Sequence, residues 1–350
     1  MKIAATSITM LKAQWCPYRL FFRFEARTSR ATMQYKDTYF IRLYDTDAPL
    51  RTIGIGECAL FAGLSADDRP DYEEQLAQAC SMPTDALKNE YSSIRFGFEM
   101  ALEDTTAGEW LDGKVGIPTN GLIWMGDKAT MAERIDQKLE QGFRVLKLKI
   151  GGINFDDEVD LLRAIRQRYN ADTLEIRLDA NGSFTPENAL NRLDTLAQFE
   201  IHSLEQPIKA GQVKAMHNIC RKSPIDIALD EELIGYRTYE DAANLVADIM
   251  PQYIILKPSL CGGFDCADKY IDIAERLGIG WWATSALESN VGLKAIATWV
   301  AAKHPSIPQG LGTGLLYHNN IDSPLEMRGE SLFYNPDKPE INIDNLPWRE

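Results

Sequence analysis

The sequence has few cysteines and histidines, and neither residue type follows a metal-binding or disulfide pattern. Its six cysteines are scattered without a C-x-x-C pair, and its four histidines form no H-x-x-x-H or H-E-x-x-H pair. Isolated cysteines in a chain of 350 residues are typical of reduced, buried thiols. We therefore exclude a disulfide scaffold and the usual zinc sites.

Long apolar runs and an excess of positive charge are also lacking. No stretch approaches the roughly 18 apolar residues of a membrane span, and the formal net charge is -14. The start, MKIAATSITMLKAQWCPYRLFF, has no continuous apolar core followed by a cleavage site, so it predicts a first β-strand. We expect a soluble, cytoplasmic protein that binds neither nucleic acid nor membranes and attracts anionic ligands only at a local positive site.

The common nucleotide-binding and hydrolase motifs are missing. No P-loop or G-x-S-x-G elbow occurs, and the pair Gly54 and Gly56 lacks the third glycine of a dinucleotide fingerprint. The glycines from Gly310 to Gly314 lie near the end of the chain with no βαβ unit after them. These absences argue against a nucleotide cofactor.

The chain divides into two regions with different periodicity. Up to about residue 118, alternating segments such as TYFIRLYD and the helical spacing of DALKNEYSSIRFGFEMALED predict an α+β module. From Gly121, short apolar strands recur about every 25 to 30 residues; they read GLIWM, FRVLKLKI, LEIRLDAN, IHSLEQP, DIALDEE, YIILKPS, IGWWATSAL and PQGLGTG. This rhythm predicts an α/β barrel over 119–314 with a tail, 315–350, that packs on the first module; a doubly wound open sheet is the alternative.

Charged residues end most of the predicted strands, and in a barrel such ends meet at one mouth. Asp179, Glu205 and Asp230 end three consecutive strands. Three carboxylates with positions left for water and substrate suit octahedral Mg²⁺, with Mn²⁺ as a substitute. The alternative for each acid is a helix cap or a salt bridge, but three acids at equivalent strand positions favour a metal site.

Two lysines lie on strands before and after these acids. Lys149 and Lys257 would approach the metal from opposite sides of a closed barrel. A lysine near a divalent cation and another lysine has its charged form disfavoured, which makes a free amine available as a base. Each could instead form a salt bridge, a role that suits Lys147.

These strand ends together resemble a known family. K-x-K, then R-x-D-x-N, E-Q-P, D-E-E and K-P-S are similar to the barrel of the enolase superfamily, in its muconate-lactonizing subgroup. Enzymes of this superfamily use a Lys or His base together with magnesium ions that stabilise an enediolate. The resemblance spans essentially the whole chain and implies a modified TIM barrel, (β/α)7β, with an N-terminal α+β capping domain completed by the C-terminal tail.

The resemblance also implies roles for individual residues. The metal ligands fall on Asp179, Glu205 and Asp230, with Asn181 and Glu231 supporting them; Lys149 is the acid/base, and Lys257 stabilises the reacting ring by a cation–π contact. Arg177 lies beneath the site, and backbone amides around Ser285, Gly312 and Thr313 receive a substrate carboxylate.

Two further segments, TSALESNVGL and QGLGTGLLYHNNI, resemble the dehydratases of menaquinone biosynthesis within that subgroup. Their substrate is a cyclohexadiene carboxylate with a hydroxyl and a succinyl arm. Dipeptide epimerases carry a D-x-D in this region to hold an ammonium group, whereas this chain has Ser285-Ala286-Leu287, with Glu288 next to it. Racemisation of N-acylamino acids, dipeptide epimerisation, muconate cycloisomerisation and a non-catalytic barrel that binds a small acid stay open as alternatives.

Substrate specificity in this family is expected from loops of the capping domain. The candidates here are the segment 26–30, including Arg30, and the segment 61–64; Met33 and Trp124 are equally compatible with the core. The sequence leaves homo-oligomerisation open.

Overall fold

The computed structural model describes residues 11–27, 32–46, 48–102, 107–235 and 238–349. Arg30 lies outside these ranges. In the N-terminal module three antiparallel strands form a sheet in the order β1 (Leu11–Arg27), β2 (Thr32–Asp45) and β3 (Ala48–Cys58). Three helices follow it: α1 (Tyr72–Ser81), α2 (Ser92–Leu102) and the short α3 (Gly108–Leu111).

The helix predicted over DALKNEYSSIRFGFEMALED is shorter than its apolar spacing suggests. Of the residues described in this segment, only those of α2 are α-helical, and Asp85–Lys88 forms a separate 3₁₀ turn. The side chain of Asn89 accepts a hydrogen bond from the Tyr91 amide at 2.8 Å. Such local side-chain bonds compete with helical hydrogen bonding, which explains the break.

Strand β3 packs directly against helix α2 through glycines. A Cβ added to Gly56 would lie 2.0 Å from the carbonyl oxygen of Gly97. Around this contact the two elements enclose an apolar core that includes Ile41, Leu43 and Phe98, all fully buried. The close approach therefore requires glycine.

We predict that Gly56→Ala lowers the free energy of unfolding by about 2–3 kcal/mol, because backbone atoms of α2 must move to admit the methyl group. Urea denaturation of the purified variant measures this change. A difference from the parent of less than about 0.5 kcal/mol would contradict the packing described here.

The second region is a parallel sheet of seven strands that pair in chain order. The strands are β5 (Gly121–Ile123), β6 (Val145–Lys149), β7 (Glu175–Asp179), β8 (Ser203–Glu205), β9 (Asp226–Leu229), β10 (Tyr253–Leu256) and β11 (Gly280–Ala283). The helices that alternate with them are α4 (Lys128–Glu140), α5 (Phe155–Arg168), α6 (Ala189–Ala197), α7 (Val213–Lys222), α8 (Tyr239–Ile249), α9 (Pro258–Cys261), α10 (Gly263–Leu277) and α11 (Asn290–Ala301). Among the described residues, none of the helices is long and apolar enough to cross a membrane.

The predicted eighth strand, PQGLGTG, is reduced to two residues that close the barrel. Gly310 forms a parallel bridge with Thr284 after β11, and Gln309 forms one with Thr119 before β5. The amide of Asn120 donates to the Gln309 carbonyl at 2.9 Å. The α/β architecture with a (β/α)7β barrel is thus confirmed, and the open doubly wound sheet is excluded.

The C-terminal residues return to both regions. A hairpin of β12 (Leu325–Arg328) and β13 (Ser331–Tyr334) pairs with β4 (Ile117–Pro118), and Arg349 forms a reciprocal backbone pair with Trp15 in β1. The division into segments 1–118, 119–314 and 315–350 stays a prediction.

Carboxylates of the N-terminal module hold it against the barrel. Glu57 of β3 accepts from the amides of Ser289 and Gly292 at 3.0 and 2.9 Å, at the start of α11. Glu99 of α2 accepts from the Phe264 amide at the start of α10. Acidic groups at helix N-termini satisfy unpaired amides and complement the helix dipole. These contacts place the module over the barrel end that carries the charged residues.

Candidate active site

The charged strand ends converge as the sequence predicts. Lys149, Asp179 and Glu205 end β6, β7 and β8 and pair with one another across the parallel sheet. Asp230 follows β9, and Lys257 follows β10. Because side chains at equivalent positions of a parallel sheet point to one face, all five residues are directed to the same barrel end.

Ion pairs connect these side chains. The Nζ atom of Lys149 lies 2.8 Å from Asp179 Oδ2, and that of Lys147 lies 3.1 Å from the same oxygen. Lys147 also pairs with Glu205, and Lys257 pairs with Asp230. Lys147 thus forms salt bridges to two of the acids, and its supporting role stays a prediction.

The two flanking lysines differ in their electrostatics. Burial lowers the pKa of Lys149, and the nearby Lys147 ammonium acts in the same direction. Burial also opposes the charged form of Lys257, but Asp230 and Glu205 outweigh it and raise the pKa of Lys257. The expectation of a disfavoured ammonium was made for lysines beside a divalent cation and stays a prediction; in the structure a carboxylate contacts Lys257 directly.

The acids also differ from one another. Burial opposes the charge of Asp179, yet Lys147 and Lys149 lower the pKa of Asp179. Burial and then the charge of Asp179 raise the pKa of Glu205 to about 8. At Glu205, burial and the neighbouring carboxylate therefore outweigh the pairing with Lys147.

A metal site can be tested against these acids. Within the part of the chain that the structure describes, no three His, Cys, Asp or Glu side chains are grouped so as to hold a metal ion, and lysine ammonium groups contact Asp179, Glu205 and Asp230 instead. Glu205 is nevertheless only 2% exposed, and its Oε1 has no hydrogen-bond partner among the described residues. Buried carboxylate oxygens of this kind fit a hard divalent cation.

Asn181 and Glu231 extend the cluster. Asn181 adopts a left-handed backbone with φ of 44°, which asparagine tolerates better than most residues. Its Oδ1 accepts from Lys149 Nζ at 2.9 Å, and its Nδ2 donates to Glu231 Oε1 at 3.2 Å. Both residues therefore lie beside the lysine and the acids, where the sequence places them.

Arg177 lies deeper in the barrel than the cluster. Its Nε donates to Glu175 at 2.7 Å, and an Nη donates to the Pro308 carbonyl at 2.8 Å. The guanidinium stacks over the Trp282 ring at 4.7 Å from the centroid. Arg177 therefore joins β7 to the segment that closes the barrel, and it is not among the described residues that line the cavity.

A cavity of about 310 Å³ opens beside the cluster. Lys147, Lys149, Asn181, Glu231 and Lys257 line it on the charged side. The N-terminal module contributes Met33 and the predicted loop Phe61, Ala62, Gly63 and Leu64. Trp124 also lines the cavity, with its ring centroid 5.9 Å from Lys149 Nζ. The cavity thus combines charged groups at one side with an apolar wall.

Ser285, Gly312 and Thr313 line the same cavity. The Ser285 amide itself donates to the Gly310 carbonyl at 3.2 Å and so helps to close the barrel. The neighbouring amide of Ala286, which also lines the cavity, and those of Gly312 and Thr313 stay candidates for binding a substrate carboxylate, and this role stays a prediction.

Glu288 does not offer a carboxylate to the cavity. It is fully buried and accepts hydrogen bonds from Ser259 Oγ at 2.6 Å and Ser285 Oγ at 2.7 Å. It is not among the lining residues, whose acid is Glu231. Among the described residues that line the Ser285-Ala286-Leu287 side of the cavity, none offers an anion to a substrate ammonium group.

Sequence reasoning missed Asn120, Leu122 and Thr284 as lining residues. Asn120 precedes β5 and shares the alternation of Leu122 and Trp124, so its position before the first barrel strand was a usable signal. Thr284 follows β11 and is drawn to the cavity by its bridge to Gly310, which no local sequence pattern reports.

Comparison with known proteins identifies the family to which the chain belongs. The family model described as Enolase C-terminal domain-like matches residues 130–339, more than half of the chain. The chain belongs to this family, which confirms the resemblance to the enolase superfamily.

One curated protein and two solved structures illustrate what the chain is similar to. The chain is 44% identical to an o-succinylbenzoate synthase of Desulfotalea psychrophila, over 89% of this chain and 96% of that protein. The crystal structure of MenC from the same organism matches with a TM-score of 0.77 and 40% identity, covering 92% of this chain and 99% of that one. A dipeptide epimerase from Enterococcus faecalis, complexed with Mg and the dipeptide L-Leu-L-Tyr, matches with a TM-score of 0.79 but 19% identity, over 93% and 97% of the two chains. That last likeness concerns the fold alone.

Proposed function

We propose that this chain is a magnesium-dependent hydro-lyase that catalyses the o-succinylbenzoate synthase reaction. It converts 2-succinyl-6-hydroxy-2,4-cyclohexadiene-1-carboxylate into 2-succinylbenzoate and water, a step of menaquinone biosynthesis. The observation that carries the proposal is the pair Lys149 and Lys257, which flank three buried carboxylates and face one cavity. The 44% identity to a synthase over 89% of the chain supports this choice within the family.

Asp179, Glu205 and Asp230 would hold the cation, which is Mg²⁺ in this proposal, with Mn²⁺ as a substitute. A bound divalent cation supplies positive charge that withdraws electrons from a substrate carboxylate. Asn181 and Glu231 orient Lys149 and the acids around it.

Lys149 performs the proton transfers. As a free amine it accepts the ring proton next to the substrate carboxylate, and the lowered pKa of Lys149 favours this form. The C–O bond to the ring hydroxyl then breaks, and the proton on Lys149 passes to the departing hydroxyl, which leaves as water. The ring becomes aromatic, and one residue on one face serves both halves of a syn elimination.

Lys257 has a different task. Its raised pKa favours the charged ammonium, which lies directly after β10, across the barrel from Lys149. A fixed cation there stabilises negative charge that develops on the ring during proton removal. The loop at residues 61–64 and Met33 cover the cavity and limit access of water.

The runner-up functions use the same lysines and acids on other substrates: N-acylamino acid racemisation, dipeptide epimerisation and muconate cycloisomerisation. The fully buried Glu288 counts against an ammonium-bearing substrate.

The proposed function also implies where the enzyme acts and what it binds. We propose a cytoplasmic enzyme whose partner is a small carboxylate and which binds neither nucleic acid nor a membrane. Homo-oligomerisation stays a prediction.

We predict that kcat/KM for the dehydration exceeds that for dipeptides by several powers of ten, because the Ser285-Ala286-Leu287 side of the cavity offers no carboxylate to a substrate ammonium group. The measurement is a panel of the cyclohexadiene substrate, dipeptides and N-acylamino acids at one metal concentration. Comparable efficiency on a dipeptide would overturn the choice of reaction but not the family.

A further inference from the structure

Gln206 lies between two of the acids that the proposed function assigns to the metal ion. It follows Glu205 directly at the end of β8, and its side chain reaches the turn after β9, which begins at Asp230. Gln206 is 1% exposed. It is not among the described residues that line the cavity, so any influence on the reaction passes through its neighbours.

The carboxamide of Gln206 uses all four of its hydrogen-bonding positions. Its Oε1 accepts from the amides of Asp230 and Glu232, both at 3.2 Å. Its Nε2 donates to the Ile208 carbonyl at 2.9 Å and to Glu232 Oε2 at 3.1 Å. Two amides require an acceptor on one side and two oxygens require a donor on the other, so the network defines which way the carboxamide is turned.

Glu232 makes a second connection between the same two segments. It is 2% exposed, and its Oε1 accepts from the Gly211 amide at 2.8 Å, in the loop that follows β8. The loop after β8 and the turn after β9 are therefore joined through both Gln206 and Glu232. A buried polar network whose groups are paired in this way is rigid and favours one arrangement of the backbone.

The backbone of Gln206 is also held in an uncommon conformation. Its φ of 41° is left-handed, which is rare outside glycine, asparagine and aspartate. The Gln206 amide donates to the Ala228 carbonyl at 2.9 Å, and its carbonyl accepts from the Gly182 amide at 2.7 Å. Such conformations persist only where the surrounding contacts fix them, and they are concentrated near functional sites.

We propose that Gln206 is a positioning residue that sets the Asp230 carboxylate relative to that of Glu205 for metal binding. This inference rests on the metal site of the proposed function. The backbone of Asp230, with φ of -122° and ψ of -82°, is neither helical nor extended, so its placement depends on bonds such as the one to Gln206. Residues that orient metal ligands contribute to affinity without touching the cation.

The test shortens the carboxamide without changing the charge. Gln206→Asn removes one methylene group, so the carboxamide withdraws from the turn after β9, while asparagine tolerates the left-handed backbone. Gln252→Asn is the matched control. The Gln252 carboxamide accepts from the Ile227 amide at 2.9 Å and donates to the Cys220 carbonyl at 3.3 Å, at the opposite end of β9. Calorimetry measures the Kd for Mg²⁺ without substrate, and urea denaturation measures stability.

We expect Gln206→Asn to weaken Mg²⁺ binding by about 10- to 100-fold, the range for residues that orient metal ligands. Gln252→Asn should change the Kd by less than about threefold, because it lies far from the acids. Both variants lose hydrogen bonds and should unfold at lower urea concentrations than the parent.

A second variant exchanges the two side chains at constant net charge. Gln206→Glu combined with Glu232→Gln keeps an acceptor for the amides of Asp230 and Glu232 and reverses the bond between the two side chains. It loses only the donor to the Ile208 carbonyl, so Mg²⁺ binding should weaken by less than about tenfold. This comparison with the parent remains available if Gln206→Asn does not fold.

An unchanged Kd for Mg²⁺ in folded Gln206→Asn would show that Gln206 stabilises only the fold, which would overturn the proposal. An exchange variant that weakens binding by a hundredfold would overturn it as well, because the amides keep their acceptor there. A parent that does not bind Mg²⁺ would instead refute the metal site of the proposed function. A parent that binds Mg²⁺ as tightly as Gln206→Asn would refute only the role of Gln206.

Discussion

Lys149→Ala is expected to lower kcat by at least about a thousandfold while changing product affinity by about tenfold or less. Removal of a positioned proton-transfer group typically costs 10²- to 10⁴-fold. Lys149 also pairs with Asp179 and Asn181, so its loss disturbs the neighbouring acids. The aromatic product has no proton to exchange with Lys149, which is why its binding depends far less on this residue.

Two measurements separate these effects. A single-turnover assay gives the rate of the chemical step, and calorimetric titration of 2-succinylbenzoate into the magnesium-loaded variant gives the affinity. A folded variant that turns over within tenfold of the parent would show that Lys149 is a structural charge. Lys257 or Lys147 would then be the next candidate for the proton transfer.

Exhaustive chelation should abolish turnover, and added Mg²⁺ or Mn²⁺ should restore it. Without a cation, the substrate carboxylate meets buried acids, and Glu205 Oε1 has no hydrogen-bond partner within the described ranges. Turnover is followed by the absorbance of the aromatic product before and after metal is returned. Full activity in the chelated enzyme would show that turnover does not require a bound metal ion.

Substitutions of the three acids test which residues bind the metal ion. Asp179→Asn, Glu205→Gln and Asp230→Asn should each weaken metal binding measured by calorimetry, because each removes a carboxylate ligand charge. Asp226→Asn is the matched control, since Asp226 is exposed at the opposite end of the strand that leads to Asp230. Equal metal affinity in all four variants would place the cation elsewhere.

Much of the fold was predictable because the barrel repeats one pattern. Each apolar strand ends in a charged residue, and alternation assigns Lys147 and Lys149, or Arg177 and Asp179, to one face. The register of β6, β7 and β8 then brings their last residues together. The positions of the acids and lysines therefore follow from local sequence plus closure of the barrel.

Other features depend on contacts that no local pattern reports. The Ser285 amide is engaged because the eighth strand is only Gln309 and Gly310, and Gly310 accepts from it. Glu288 points into the protein because two serine hydroxyls from separate segments, Ser259 and Ser285, donate to it. The raised pKa of Lys257 likewise reflects its direct pairing with Asp230, which sequence spacing does not define.

The most direct test of the account is the rate at which the purified, magnesium-loaded chain converts the cyclohexadiene carboxylate into 2-succinylbenzoate. We predict saturable turnover with a kcat in the ordinary enzymatic range of about 1 to 1,000 s⁻¹. A rate no faster than that of the metal ion in buffer, from folded protein that instead epimerises a dipeptide or racemises an N-acylamino acid, would contradict the proposed function.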